Sequence, residues 1–362
     1  MGTTNDIRCC RTELLESDFK LIENDGIDMK EFAGASFLVT GSTGLVGSLF
    51  TKALLYFNRI YKLGLGIYAV VRNIDKAGAV FEDDFNDSAL RFVVTEDIGN
   101  GSFDITEKVD YIVHAAAITN SKEMVTNPSA VLISAFNSTH SLLEIAKRNN
   151  ATMVYISSME IYGTIDNSES TKENDLGYIN LSSIRSCYPE SKRMCECLCN
   201  AYAHQFGVRV MSARLAQTFG AGILPSENRV FAQFARSAVS GNNIVLHTMG
   251  LSEGNYVYVA EALRAILILI KKGSSGEAYN ICDPESHTTI GAMAEMVAEK
   301  FSDGKIKVVR DIPKDSLQYG YAPDTKLFLD NSKMKLLGWN PVIHLDQMYR
   351  RLIEWIKIQQ GG

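Results

Sequence analysis

The chain has 362 residues, of which 46% are hydrophobic and 22% are charged, and its formal net charge is -6. This composition excludes a disordered or collagen-like chain, and the mild acidic charge argues against a nucleic-acid-binding protein. No segment reaches the ~18 consecutive apolar residues of a membrane span. We therefore expect a cytoplasmic protein without a membrane or nucleic-acid partner. The seven cysteines lack metal-ligand spacing, which predicts free thiols and no metal site.

Residues 1–33 are polar and form an N-terminal extension, with a short helical pattern around Leu14 and Phe19. Strand-like runs and helical patterns then alternate. The predicted strands cover 36–40, 66–71, 91–94, 111–113, 153–156 and 208–213, and the long helices between them cover 45–60, 131–148 and 190–206. Such alternation is typical of βαβ units. It predicts an α/β fold, a Rossmann-type doubly wound parallel sheet.

The alternation weakens past residue 220, where the predicted helices cover 230–239, 260–271, 290–301 and 345–358. We predict that residues 34–220 form an NAD(P)-binding Rossmann domain. Residues 221–362 then form a smaller, mixed α/β substrate-binding part that is interleaved with it.

A glycine-rich turn, Gly41-x-x-Gly44-x-x-Gly47, lies between the first predicted strand and the first long helix. Glycines let the backbone approach a pyrophosphate, and the helix N-terminus directs its amides at the anion. The turn is therefore expected to bind a dinucleotide, with the intervening Thr43, Leu45 and Val46 included in the contact.

The end of the second predicted strand bears on the choice between NAD and NADP. A carboxylate there favours NAD, whereas an arginine accommodates the 2′-phosphate of NADP. The sequence has Arg72 and no carboxylate before Asp75. We expect tightly bound NAD or NADP, with Arg72 favouring NADP unless it is only a solvated surface charge.

A candidate catalytic group combines a helix and a strand end. Tyr188 and Lys192 are four residues apart and share a helix face. The lysine ammonium is expected to lower the pKa of the tyrosine, which then acts as a general base on a sugar hydroxyl. Ser158 and Glu160 follow a buried strand at the sheet edge where ligands bind. The alternatives are a helix-surface pair for Tyr188 and Lys192 and a helix cap for Ser158.

Taken in order, these motifs resemble the extended short-chain dehydrogenases, the NAD-dependent epimerase/dehydratase family that modifies nucleotide sugars. The resemblance covers residues 34–358. It implies a catalytic triad of Ser158, Tyr188 and Lys192 and a homodimer. It also implies cofactor contacts from Asp97, Ile98, Ala115, Ala116, Ala117 and Asn137. The implied substrate contacts, besides Ser158, are Thr119, Gln217, Arg229 and Val230.

Within the family, the stretch from Arg185 to Arg193, together with Glu160 and the segment 228–230, is similar to UDP-glucuronate decarboxylases. This implies a nucleotide-sugar substrate that is oxidised at carbon 4 with bound NAD(P) and then decarboxylated. Alternatives are a 4-epimerase, a 4,6-dehydratase, a reductase that releases its cofactor, and a non-catalytic NAD(P)-binding sensor. Met159 stands where the dehydratases have an aspartate, and it cannot donate a proton.

One position departs from the family. Gly254 stands where the family's R-x-F-x-Y-V stretch has an arginine that binds the sugar nucleotide. An anionic substrate favours a bidentate cationic partner. Either Arg185, Arg229 or Arg236 supplies that charge, or the substrate differs.

Overall fold

A seven-stranded parallel sheet forms the centre of the molecule, and its strand order is β10-β6-β5-β4-β1-β2-β3. The computed structural model describes residues 4–23, 26–99, 103, 105–165, 169–312 and 325–360. The strands of the large sheet are β1 Ser36–Thr40, β2 Gly66–Val71, β3 Leu90–Val94, β4 Tyr111–His114, β5 Thr152–Ser158, β6 Val210–Leu215 and β10 Ala278–Ile281. The predicted doubly wound α/β fold is confirmed.

Helices cover both faces of this sheet. Their bounds are α1 Thr4–Ile22, α2 Leu45–Tyr61, α3 Ile74–Phe81, α4 Ser121–Thr126, α5 Pro128–Asn149, α6 Cys187–Phe206, α7 Val230–Ser240, α8 Val259–Lys272, α9 Ile290–Phe301, α10 Ser332–Leu336 and α11 Leu345–Gln360. Successive strand residues point to opposite faces. Leu38 and Met153 accordingly join a core with α5 and α6, whereas Val39 and Val154 join the core with α2 and α8.

The C-terminal part contributes to both the large sheet and smaller ones. β10 pairs in parallel with β6, which places residues 278–281 in the large sheet. A three-stranded sheet contains β7 Gln217–Phe219, β9 Glu253–Tyr258 and β11 Asp283–Thr289, and a two-stranded sheet contains β8 Ile244–Leu246 and β12 Val308–Arg310. The division into domains at residue 220 stays a prediction.

The N-terminal helix is part of the packed structure. α1 packs against α8 and α11, and Phe19 and Ile22 are buried. The buried Asp18 carboxylate accepts hydrogen bonds from the Tyr258 hydroxyl at 2.5 Å and from Arg351 Nη1 at 2.5 Å. Asp18 therefore ties α1 to the end of β9 and to α11.

Replacement of Asp18 by alanine is expected to destabilise the fold. The substitution leaves the Tyr258 hydroxyl without its acceptor and removes the carboxylate partner of the partly buried Arg351, at a cost of about 1–3 kcal/mol. Urea unfolding should show a lower midpoint with an unchanged slope. Lys20→Ala, at an exposed position on the same helix, serves as the control and should leave the midpoint where it is.

Candidate active site

The glycine turn between β1 and α2 is too tight for side chains. A Cβ atom on Gly47 would lie 2.4 Å from the Gly41 carbonyl oxygen, and one on Gly41 would lie 2.8 Å from the Ala115 backbone. Gly41 has a φ of +67°, which glycine adopts at little cost. α2 starts after Gly44 without a side-chain cap, so its first amides remain for an anion. The turn fits the pyrophosphate of a dinucleotide.

Three of the implied cofactor contacts, Asp97, Ile98 and Asn137, lie together beside α5. The Asp97 carboxylate accepts a hydrogen bond of 2.8 Å from the Gly99 amide, and Ile98 between them is buried. A Cβ atom on Gly99 would lie 2.2 Å from the Asn137 Cβ. The Asp97–Gly99 loop therefore packs directly against Asn137.

A buried histidine organises the stretch that follows β4. His114 Nδ1 is 2.8 Å from the Thr40 hydroxyl, and His114 Nε2 is 3.3 Å from the Thr139 hydroxyl. The Ala116 amide donates to the same Thr40 oxygen at 3.2 Å. Burial lowers the pKa of His114 to about 3, so the ring is neutral. This network fixes the 115–117 backbone against Gly41.

The sequence analysis did not identify the role of the His114 ring. The signal was present, because Thr40 and His114 end the first and fourth strands and pair in register. Two polar residues at the ends of adjacent parallel strands are expected to meet.

Ser158 and Tyr188 meet at the carboxyl end of β5. The Ser158 hydroxyl lowers the pKa of Tyr188, so the two side chains are close, and it accepts a hydrogen bond of 3.2 Å from the Glu160 amide. Ser158 thus caps the 3₁₀ turn Met159–Tyr162. The helix-cap interpretation is confirmed, and the catalytic role of Ser158 stays a prediction.

Lys192 lies buried beside this pair. Its ammonium donates a hydrogen bond of 2.7 Å to the Ile156 carbonyl and lies 5.9 Å from the centre of the Tyr188 ring. It also lies 4.7 Å from the centre of the Tyr155 ring. Burial lowers the pKa of Lys192 to about 8. The lysine is therefore positioned by the strand and by two aromatic rings.

The expected lowering of the Tyr188 pKa is wrong for the protein itself. Burial raises the pKa of Tyr188 to about 12, and the Glu160 carboxylate adds to the rise. The Ser158 hydrogen bond and the charges of Arg229 and Arg185 oppose it.

Glu160 and Arg185 lie next to Tyr188. Arg185 belongs to the 3₁₀ turn Ile184–Ser186 that leads into α6, and its Nη2 is 3.8 Å from Glu160 Oε2. The two side chains are 39% and 38% exposed, so both remain open to a ligand. Burial raises the pKa of Glu160, and the Arg185 charge opposes that rise.

The three arginines that could replace the charge missing at Gly254 differ in their surroundings. Arg229 makes a bidentate pair with Glu227, with N–O distances of 3.0 and 2.7 Å. Arg236 donates to the Pro225 carbonyl at 2.9 Å. Among the residues that the structure describes, Arg185 contacts only Glu160, at 3.8 Å, so its guanidinium is the most available of the three.

The other implied substrate residues lie in three places. Gln217 on β7 pairs in register with Tyr256 on β9, two residues from Gly254. Val230 begins α7 and is exposed, and Arg229 precedes it as the N-cap. Thr119 is exposed between β4 and α4. Gln217 therefore lies beside β9, the strand that carries Gly254.

The part of the chain that the structure describes contains no cluster of histidine, cysteine and acidic residues able to hold a metal ion. Within the same residues, no helix has the length and apolarity to cross a membrane.

Residues 37–282 match the NAD dependent epimerase/dehydratase family, which is more than half of the chain. The chain belongs to this family. It is thus an enzyme of the NAD-dependent epimerase/dehydratase kind. The roles of the glycine turn and of Ser158, Tyr188 and Lys192 stay predictions.

Among curated proteins, the chain is similar to UDP-glucuronic acid decarboxylase 1 of Xenopus tropicalis. The two are 27% identical over 330 residues, which cover 88% of this chain and 72% of the relative. It is also 29% identical to UDP-glucuronic acid decarboxylase 6 of Arabidopsis thaliana over 264 residues, which cover 71% of this chain and 74% of that protein.

Solved structures share the fold. An epimerase of Methanothermobacter thermautotrophicus superposes with a TM-score of 0.76 at 22% identity, covering 95% of this chain and 97% of its own. The dTDP-glucose 4,6-dehydratase of Bacillus anthracis, solved in complex with NAD, gives a TM-score of 0.70 at 21% identity, covering 90% and 98%. Both likenesses concern the fold alone.

Proposed function

We propose that this epimerase/dehydratase-family member oxidises the sugar of a nucleotide sugar at carbon 4 and then decarboxylates it, with a UDP-uronic acid as substrate. The observation that carries the proposal is the buried Tyr188. The Ser158 hydroxyl at the carboxyl end of β5 lowers its pKa, and the buried Lys192 ammonium lies 5.9 Å from its ring centre. The decarboxylases among its relatives and the Glu160–Arg185 pair support the second step.

Bound NAD(P) supplies the acceptor for the hydrogen that leaves carbon 4 with its electrons. The residues proposed to hold it are Gly41, Thr43, Gly44, Leu45, Val46, Gly47, Arg72, Asp97, Ile98, Ala115, Ala116, Ala117, Asn137, Tyr188 and Lys192. Arg72 follows β2 and is exposed, so it is free to meet a 2′-phosphate. On this ground we favour NADP, and mass analysis of the cofactor released on denaturation tests that choice.

The chain's own residues handle protons and charge. Tyr188 takes the proton from the carbon-4 hydroxyl, and Ser158 hydrogen-bonds and orients that hydroxyl. The positive charge of Lys192 stabilises the phenolate that forms. Arg185 pairs with an anionic group of the substrate, and Glu160 serves as the acid or base in the step after oxidation. Gln217, Arg229, Val230 and Thr119 are proposed to contact the remainder of the substrate.

A second candidate is a 4-epimerase or 4,6-dehydratase acting on a neutral nucleotide sugar. The observation that favours it is Gly254, because a neutral sugar does not require the missing arginine. NMR of the protein incubated separately with UDP-glucuronate, UDP-glucose, UDP-N-acetylglucosamine and dTDP-glucose separates the candidates. A pentose supports decarboxylation, whereas an epimer or a 4-keto-6-deoxy sugar supports the second candidate.

We also propose a cytoplasmic homodimer. The faces of α5 and α6 leave apolar side chains exposed, namely Ile133, Phe136 and Phe206. Free thiols at five cysteines, Cys187, Cys195, Cys197, Cys199 and Cys282, suit a reducing compartment. Light scattering of the purified protein tests the dimer.

Replacement of Ser158 by alanine is expected to reduce turnover at pH 7 by about 10²-fold, the lower end of what positioned proton transfer contributes. The Ser158 hydrogen bond lowers the pKa of Tyr188. The Tyr188 phenolate is the reactive base, so activity rises with pH. Loss of the Ser158 hydroxyl raises the pKa of Tyr188 and should move the rising limb of the pH–rate profile to higher pH. Ser158→Thr should keep the limb near its wild-type position, and the neighbouring Ser157→Ala is the matched control.

A further inference from the structure

The N-terminal helix is linked to the backbone that leads from β7 to the predicted substrate residues. α1 ends at Ile22, before the family match begins at residue 37. The Tyr258 hydroxyl, which donates to the Asp18 carboxylate at 2.5 Å, also accepts a hydrogen bond of 3.4 Å from the Ala221 amide. One phenol therefore joins α1 to the backbone that follows β7.

Tyr258 is fixed from both sides. Its ring fills the space beside Gly220, where an added Cβ atom would lie 2.5 Å from the Tyr258 Cε2. On the other side, Asp18 is itself fixed, because Arg351 Nη1 donates to its second carboxylate oxygen at 2.5 Å and to the Ser17 hydroxyl at 3.1 Å. Asp18 and Tyr258 are both buried. Removal of the Asp18 carboxylate leaves the buried Tyr258 hydroxyl without its acceptor and favours a shift of the ring against Gly220.

The backbone from residue 221 to residue 229, here called the substrate segment, is held along its length. The Ile223 carbonyl accepts a hydrogen bond of 3.0 Å from Trp355 Nε1 of α11. The Pro225 carbonyl accepts one of 2.9 Å from Arg236 of α7. The substrate segment is therefore an ordered part of the fold, and a displacement at its first residue alters the path of the residues after it.

The far end of the substrate segment lies at the candidate active site. Arg229, a proposed substrate contact, forms its bidentate pair with Glu227, and its guanidinium lies 4.9 Å from the centre of the Phe231 ring. Its charge lowers the pKa of Tyr188, so the two side chains are close. The substrate segment thus begins at the Tyr258 hydroxyl and ends beside Tyr188.

We propose that Asp18 is a positioning residue for the substrate: through the Tyr258 hydroxyl, it holds the substrate segment in the conformation that presents Arg229 to the bound sugar nucleotide. This deepens the proposed function and rests on it. Asp18 lies outside the candidate active site, so its loss should weaken substrate binding and spare the chemical step. A purely structural role would lower stability and leave KM unchanged.

The test is a double-mutant cycle with Asp18→Ala and Tyr258→Phe. Pentose formation from UDP-glucuronate is followed by NMR at a pH above the Asp18 pKa, which burial raises to about 6. Each variant should raise KM by about 10-fold, the size expected for one hydrogen bond to a charged group. Turnover at saturating substrate should stay near the wild-type value, because the lost interaction acts equally on the ground state and the transition state. The double variant should be no worse than either single variant, because both remove one hydrogen bond.

Two variants separate positioning from stability. Asp18→Asn keeps an oxygen that accepts from Tyr258 and removes the charge that pairs with Arg351, so it should lose stability and keep KM near that of the wild type. Asp110→Ala removes a carboxylate that accepts hydrogen bonds from the Ser36 amide and hydroxyl at 2.9 and 2.8 Å, at the amino end of β1. It should also lose stability without a change in KM. Tyr258→Phe keeps the buried ring and decides the question alone should Asp18→Ala fail to fold.

Calorimetric titration with UDP-glucuronate measures binding independently of the reaction. In a Tyr188→Phe background, which suppresses turnover, Asp18→Ala should weaken binding by the same factor as it raises KM. Unchanged affinity and KM in folded, cofactor-retaining Asp18→Ala and Tyr258→Phe would overturn the positioning role and leave the proposed decarboxylation standing. An epimer or a dehydrated sugar in place of a pentose would instead overturn the decarboxylation, and the calorimetric comparison would still decide the positioning role.

Discussion

Replacement of Tyr188 by phenylalanine is expected to reduce turnover by about 10²–10⁴-fold, the contribution of a positioned general base. The substitution removes only the hydroxyl that Ser158 contacts and keeps the buried ring. Cofactor content and thermal stability should therefore stay close to those of the wild type. The measurement is product formation by NMR alongside mass analysis of the retained cofactor.

Tyr162→Phe is the matched control, because Tyr162 is also buried and lies near the site but bonds to Asn280 and Arg214 instead. This control should lose stability and keep turnover per folded molecule. Full activity in Tyr188→Phe would remove the basis for carbon-4 oxidation.

Replacement of Gly47 by alanine is expected to expel the cofactor. The new Cβ would lie 2.4 Å from the Gly41 carbonyl oxygen, so the turn must open. Overpacking of this kind costs about 1–3 kcal/mol, and a cost of this size borne by the binding conformation weakens affinity by about 10–100-fold. The protein should purify with little NAD(P) and should regain activity only when excess cofactor is added.

The control for Gly47→Ala is Gly66→Ala in β2. A Cβ at Gly66 would meet only the side chains of Ser36 and Tyr68 at 3.9 Å. This variant should retain the cofactor. Retention of cofactor by Gly47→Ala as well would contradict the assignment of the pyrophosphate to the turn before α2.

Local patterns in the sequence predicted the sheet and the reactive residues. The glycine spacing before α2 and the four-residue spacing of Tyr188 and Lys192 follow from the geometry of one turn and one helix face. Strand-end positions also indicated Ser158 and Glu160, because ligands collect at the carboxyl edge of a parallel sheet. Each of these features is set by residues close together in the chain.

The features that sequence reasoning missed depend on contacts between distant segments. Gly254 lies in β9 of the three-stranded sheet, and the neighbouring Met159 lies in the turn that follows β5 of the large sheet. The raised pKa of Tyr188 results from burial and from the Glu160 charge, which the spacing of Tyr188 and Lys192 does not encode. The tie between Asp18 and Tyr258 likewise spans 240 positions of the chain. Periodicity describes faces of single elements and does not specify which faces meet.

The central claim is that the chain oxidises its substrate at carbon 4 and returns the hydrogen to the same carbon. UDP-glucuronate carrying deuterium at carbon 4, incubated with the purified holoenzyme and followed by NMR, tests this most directly. If the hydrogen returns to carbon 4, the product is a UDP-pentose that still carries deuterium at carbon 4, and added NADPH is not consumed. Recovery of unchanged substrate, or a pentose whose deuterium has been lost to water, would contradict it.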